Sequence, residues 1–171
     1  MKHAYLIRHA EKDDDGTLTE KGREEAVKLA SQLPDFAIII SSESPRTRER
    51  AKLLTNLDSV VDPRAGFYMA PKEKSDAINR LANEKDISFL EAAVIFNDQE
   101  VNVGIENKAS ELSSLVSETI NQLHENQSAL IVSHDLSISP AMRQKGIPLE
   151  SIPFLSGYTI DDNFGIERFN R

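Results

Sequence analysis

The chain has 171 residues, enough for one domain that buries about two thirds of the surface its unfolded form exposes. A formal charge of −8 leaves no general basic face for nucleic acid, so any anion site must be local. There is no cysteine, which excludes disulfides, thiolate nucleophiles and cysteine metal sites, and no secretory signal or run of roughly 18 apolar residues, which leaves a cytoplasmic protein without membrane contact as the expectation.

Tyr5-Leu6-Ile7 reads as a short buried strand that runs into Arg8-His9. Asp13 to Gly16 reads as a solvated turn; three consecutive aspartates there are a loop rather than a metal site. A helix follows, capped by Thr17 (with Glu20 in a capping box) or by Thr19, carrying Ala26, Leu29, Ala30 and Leu33 at helical spacing and ending at Pro34. Phe36 to Ile40 is continuously apolar, as in a strand covered on both faces, and leads into Ser41-Ser42. Ser44-Pro45 opens a second helix, on which Arg48 and Arg50 read as a solvated face. Val60-Val61 is a short third strand, and residues 70–124 are mostly helical, with Leu112, Leu115, Val116, Ile120 and Leu123 marking a long amphipathic helix. Ala129 to Val132 forms another buried strand ending at Ser133-His134-Asp135, and residues 154–160 and 164–169 form an edge hairpin.

Strands alternating with helices predict a three-layer α/β/α sandwich around a mostly parallel sheet. Ligands of such sheets bind beyond the carboxyl ends of the strands, where Arg8-His9, the stretch from Ser41 to Arg46, and Ser133-His134 all fall. Two guanidiniums suit the equatorial oxygens of a phosphoryl group in transfer, and by like-charge repulsion they keep a neighbouring imidazole neutral and nucleophilic. His3 and His124 lack that company and read as structural or exposed; Lys12 and Lys72 read as surface lysines.

Arg8-His9-Ala10, Leu18-Thr19-Glu20-Lys21-Gly22-Arg23-Glu24-Glu25-Ala26, the run from Ser41 to Ala51, and Ser133-His134 together resemble the motifs of the histidine phosphatase superfamily, also called the phosphoglycerate-mutase-like fold, over most of the chain. The resemblance implies a phosphatase acting on a phosphomonoester or phosphoramidate, with His9 as nucleophile and Arg8, Arg46 and His134 around the phosphate. Ser41 would add a hydroxyl or amide. Neither metal nor cofactor is implied, and the partner is a small phosphorylated substrate or a phosphoprotein. Glu43 and Arg50 depart from the family pattern; keeping Ala51 in register nominates Arg46, whereas sliding the match onto Pro45 nominates Arg48. The family's catalytic glutamate falls near Phe67, which leaves Asp135, Glu106, Glu100 or no group at all as the proton donor. Mutase-type transfer, or a phosphate-binding module without turnover, are the alternative functions. Residues 1–171 are expected to form one domain with 62–105 as a helical lid; the substrate and the oligomeric state stay open.

Overall fold

The computed structural model describes residues 1–13 and 17–170; most of the predicted aspartate turn lies outside them. In chain order the elements are β1 (His3–Arg8), α1 (Glu20–Ala30), β2 (Ile38–Ser41), α2 (Pro45–Thr55), β3 (Val60–Val61), a 3₁₀ turn (Pro63–Ala65), α3 (Lys72–Lys85), α4 (Phe89–Ile95), α5 (Gln99–Gln122), β4 (Ser128–Ser133), α6 (Asp135–Arg143), β5 (Gly157–Asp161) and β6 (Ile166–Phe169). They build a six-stranded sheet in the order β3-β2-β4-β1-β5-β6. The first four of these run parallel, while β5 and β6 add an antiparallel edge.

Strand alternation divides the core between the two faces of the sheet. Leu6, Ile40 and Ile131 pack under α5 and α6 with Leu112, Val116 and Ile138. Ile7, Ile39, Leu130 and Val132 face the other way, with Leu29, Ala51 and Leu54 from α1 and α2. A smaller apolar cluster, Ile78, Ala82, Ala92, Ala93, Val101 and Ile105, ties α3, α4 and the start of α5 together apart from the sheet. Among the described residues no helix is long and apolar enough to cross a membrane.

Register is what assembles the site. Arg8 pairs with Ser133 and Ser41 with Val132, so β1, β2 and β4 end at the same rim. Two glycines permit close approaches beside it. A Cβ on Gly157 would come within 1.9 Å of the Leu6 carbonyl oxygen, so β5 can lie along β1 only with glycine there. A Cβ on Gly22 would meet the Glu11 carbonyl oxygen at 2.6 Å, so glycine lets α1 press against the loop that follows His9.

Local details decide one alternative of the sequence reading and differ from it in two places. Thr19 caps α1, its hydroxyl accepting from the Gly22 N–H at 2.9 Å, so the box built on Thr17 and Glu20 does not open the helix. The helix ends at Ala30, ahead of Pro34. Arg50 is not on a solvated face: it is fully buried, and its Nε, Nη1 and Nη2 have no hydrogen-bond partner. Burial pushes its guanidinium down to about 9, against the attraction of Glu25. An unpaired buried charge is costly, and an apolar residue of similar volume removes the cost. Arg50→Leu is therefore expected to raise unfolding stability by roughly 1–4 kcal/mol in a denaturant titration. A lower midpoint would show that the guanidinium has a stabilising partner.

Candidate active site

His9 lies one residue beyond β1, its backbone N–H bonded to the Ser133 carbonyl at 3.1 Å. Its Nδ1 sits 2.7 Å from the carbonyl oxygen of Ala10, which can only accept, so Nδ1 carries the proton and Nε2 keeps its lone pair. Burial holds the ring down to about 3, with Arg46, Arg8 and Lys12 adding like-charge repulsion against the Ala10 bond. The ring is thus neutral and oriented, by burial and by the Ala10 carbonyl, with the arginines adding to the effect.

The His134 ring is 5.2 Å from that of His9, the two planes inclined at 64°. Burial, then His9, Arg46 and Arg8, keep it neutral, down to about 2. Arg46, the second residue of α2, points an Nη2 at His134 Nδ1 from 3.3 Å. Arg48, two residues on, is exposed on the far side of the helix. Arg8 donates to the Ile152 carbonyl, stands 3.5 Å from Asp135 Oδ2, and lies 4.3 Å from the Phe154 ring centroid.

Asp135, first residue of α6, is 8% exposed. Its Oδ1 accepts from the Ile152 N–H and its Oδ2 from the Ser151 hydroxyl, each at 2.9 Å. Burial raises its carboxyl pKa, opposed by Arg8, the Ile152 amide and Ser151.

Arg8, His9, Arg46, His134 and Asp135 share one cleft of about 420 Å³. Two residues nominated with them do not line it. Ser41 is still in the strand, its hydroxyl 2.7 Å from Ser59 Oγ; alternation turns Ser42 inward instead. Glu106 is exposed and bonded to Gln144, at the far end of α6, about 14 Å of helix from Asp135. Glu100 pairs with Lys74 and is not among the residues that line the cleft. Among the nominated carboxyls, Asp135 alone lines the cleft.

Other residues surround the pocket, several of them in the segment read as a lid. Phe67, in the place of the family glutamate, packs its ring 4.7 Å from His134, and Phe154 lies 5.6 Å from His9. Ser88, Phe89 and Leu90, at the start of α4, close the outer side, and Lys12 stands at the rim. The capping box of Ser88 with Glu91 was the legible signal that a helix starts there.

The profile of the histidine phosphatase superfamily, branch 1, matches residues 4–67, the stretch that carries Arg8, His9 and Arg46. Over that stretch the chain is similar to the histidine phosphatase superfamily. In sequence, the chain is 24% identical to the protein named "Probable phosphoglycerate mutase GpmB" of Erwinia tasmaniensis, over 81% of this chain and 72% of that one. It superposes on Bacillus stearothermophilus YhfR with a TM-score of 0.66 at 23% identity, covering 98% of this chain and 95% of that one. A phosphoserine phosphatase variant of Entamoeba histolytica, in complex with phosphoserine, superposes with a TM-score of 0.63 at 18% identity, covering 99% and 96%. These likenesses show the phosphoglycerate-mutase-like fold, and the relatives are phosphatases or mutases acting on small phosphorylated substrates.

Proposed function

We propose that the protein is a phosphatase that hydrolyses small phosphorylated substrates through a phosphohistidine on His9. The observation that carries this reading is the bare Nε2 of a buried, neutral His9 in a cleft shared with two guanidiniums and a second imidazole. The phosphoryl oxygens sit between Arg8 and Arg46, whose charges offset the negative charge that spreads in the transition state. The His9 Nε2 lone pair attacks phosphorus in line as the bond to the leaving oxygen breaks. Asp135, protonated, gives that oxygen its proton; as carboxylate it then takes a proton from the water that cleaves the N–P bond. Residues 62–105 act as a lid, with α4 presenting Ser88, Phe89 and Leu90 to the cleft.

Hydrolysis is favoured over mutase transfer by the cleft wall. Beyond the arginines the one cation among its described lining residues is Lys12, which is exposed, and the remaining wall is largely phenyl and leucyl, a poor cage for a sugar acid retained between two transfers. Product analysis across phosphohistidine, phosphoserine peptides, nucleotides, sugar phosphates and 3-phosphoglycerate tests this. Free inorganic phosphate is the expected product; isomerised phosphoglycerate without phosphate release would establish a mutase.

The role of Asp135 has its own signature. Asp135→Asn is expected to slow esters with poor leaving groups far more than aryl esters with good ones, read as a steeper dependence of kcat/KM on leaving-group pKa. Equal slowing of both would remove Asp135 as the donor.

A further inference from the structure

One wall of the cleft is a phenyl ring whose backbone is fixed by its neighbours. The Ser133 hydroxyl donates to the Ala65 carbonyl at 2.7 Å and the Ser137 hydroxyl to the Gly66 carbonyl at 2.6 Å, both serines being fully buried. On the other side Tyr68 lies so close to α5 that a Cβ on Gly104 would come within 2.4 Å of its ring. Phe67, held between these anchors, has its ring centroid 4.7 Å from that of His134 and 5.7 Å from the Arg46 guanidinium carbon. Phe89 and Leu90 from α4 and Leu136 from α6 line the same cleft. The polar lining residues other than the arginines and histidines are engaged or exposed: Ser88 is bonded to Glu91, Ser151 to Asp135, and Asp135 to the Ile152 amide, while Lys12 is exposed.

We propose that Phe67 is a specificity-determining residue and that the leaving group it selects is an uncharged aromatic one, the substrate being a small phosphomonoester of a phenol or an arylmethyl alcohol. This inference rests on the phosphatase reading above and names the substrate class within it. Aromatic rings attract one another edge to face or offset at centroid separations of about 4.5–7 Å, and Phe67 and Phe89 offer two such partners beside the reacting groups. A carboxylate or ammonium in the same place gives up its hydration without meeting a fixed partner, which is costly. The cleft of about 420 Å³ lies in the lower part of the range of about 300–1,000 Å³ typical of small-molecule sites, which suits a phosphoryl group with one ring attached.

Calorimetric titration of the intact protein with phosphonates, which bind without being hydrolysed, tests this. Benzylphosphonate is expected to bind at least about tenfold more tightly than either methylphosphonate or 3-phosphonopropionate, the scale on which burial of one phenyl ring acts. Parity of benzylphosphonate with either of the others overturns the proposal. In Phe67→Ala the ratio of benzyl to methyl affinity is expected to fall below about threefold, because the ring that the ligand meets is gone. An unchanged ratio removes Phe67 as the selecting residue. Should the alanine variant fail to fold, Phe67→Gln keeps a long side chain without the ring and is expected to lower the same ratio as far. The two readings fail differently: methylphosphonate and inorganic phosphate that do not bind at all take away the phosphate site and this proposal with it, whereas methyl and benzyl compounds that bind equally well overturn the proposal alone.

Discussion

His9→Ala is expected to lower phosphate release by at least about 10⁴-fold, the scale on which loss of a nucleophile acts when the rest of the site survives. Arg46→Ala follows with a loss of about 10²–10³-fold, or about 3–4 kcal/mol of transition-state stabilisation, as for removal of one strong donor to a developing anion. Arg48→Ala is expected to stay within about twofold, since an exposed side chain away from the cleft does little. Steady-state rates on one aryl phosphate give the whole ranking. The distinction follows from helix geometry: α2 starts at Pro45, and residues four apart share a face while those two apart do not, so Arg46 at the rim requires Arg48 to face solvent. Equal damage from Arg46 and Arg48 would dismantle this assignment of the second guanidinium.

The same pocket is expected to make the fold acid-labile. His9 and His134 are held down to about 3 and about 2, whereas in the unfolded chain they bind protons near the ordinary histidine value of 6.5. A depressed folded pKa means that the unfolded state takes up more protons below 6.5, so stability is present above that pH and is lost as pH falls toward the folded values. At pH 4.5 the loss is about 3 kcal/mol for each ring that stays neutral. Asp135 acts in the opposite sense, because its raised pKa makes the folded state hold a proton more tightly as pH falls, which offsets part of the loss. Urea titrations at pH 7 and pH 4.5 measure the difference; wild type is expected to lose several kcal/mol, and His9→Gln to lose about half as much. Stability that does not change over this interval would mean that the rings are protonated in the folded protein.

Much of this site was legible because its residues follow short, continuously apolar strands, and such strands, once parallel and in register, must end together. The ends of β1, β2 and β4 at Arg8, Ser41 and Ser133 show this directly. What escaped the sequence was decided by side-chain parity and by distant packing. Ser41 and Ser42 differ by one step of strand alternation, and only the register with β4 tells which turns inward. Arg50 looked like part of a charged surface, yet it stands four residues beyond Arg46 and so shares the inward face; the two assignments could not both hold. Glu106 failed for a different reason, since α5 is 24 residues long and the phase at which it passes the cleft is set by contacts with α6 that no local motif announces. Phe67 where the family has glutamate left the donor to be sought elsewhere, and only coordinates showed Asp135 buried against Arg8.

The central claim, transfer of phosphate to His9 Nε2, is tested most directly by rapid quenching in base after mixing the enzyme with a ³²P-labelled aryl phosphate, followed by peptide mapping. Alkali-stable, acid-labile label on the peptide containing His9, absent from the His9→Ala protein, is the predicted result. Steady release of phosphate by the wild-type protein with no label ever found on His9, under conditions where the intermediate should accumulate, would contradict it.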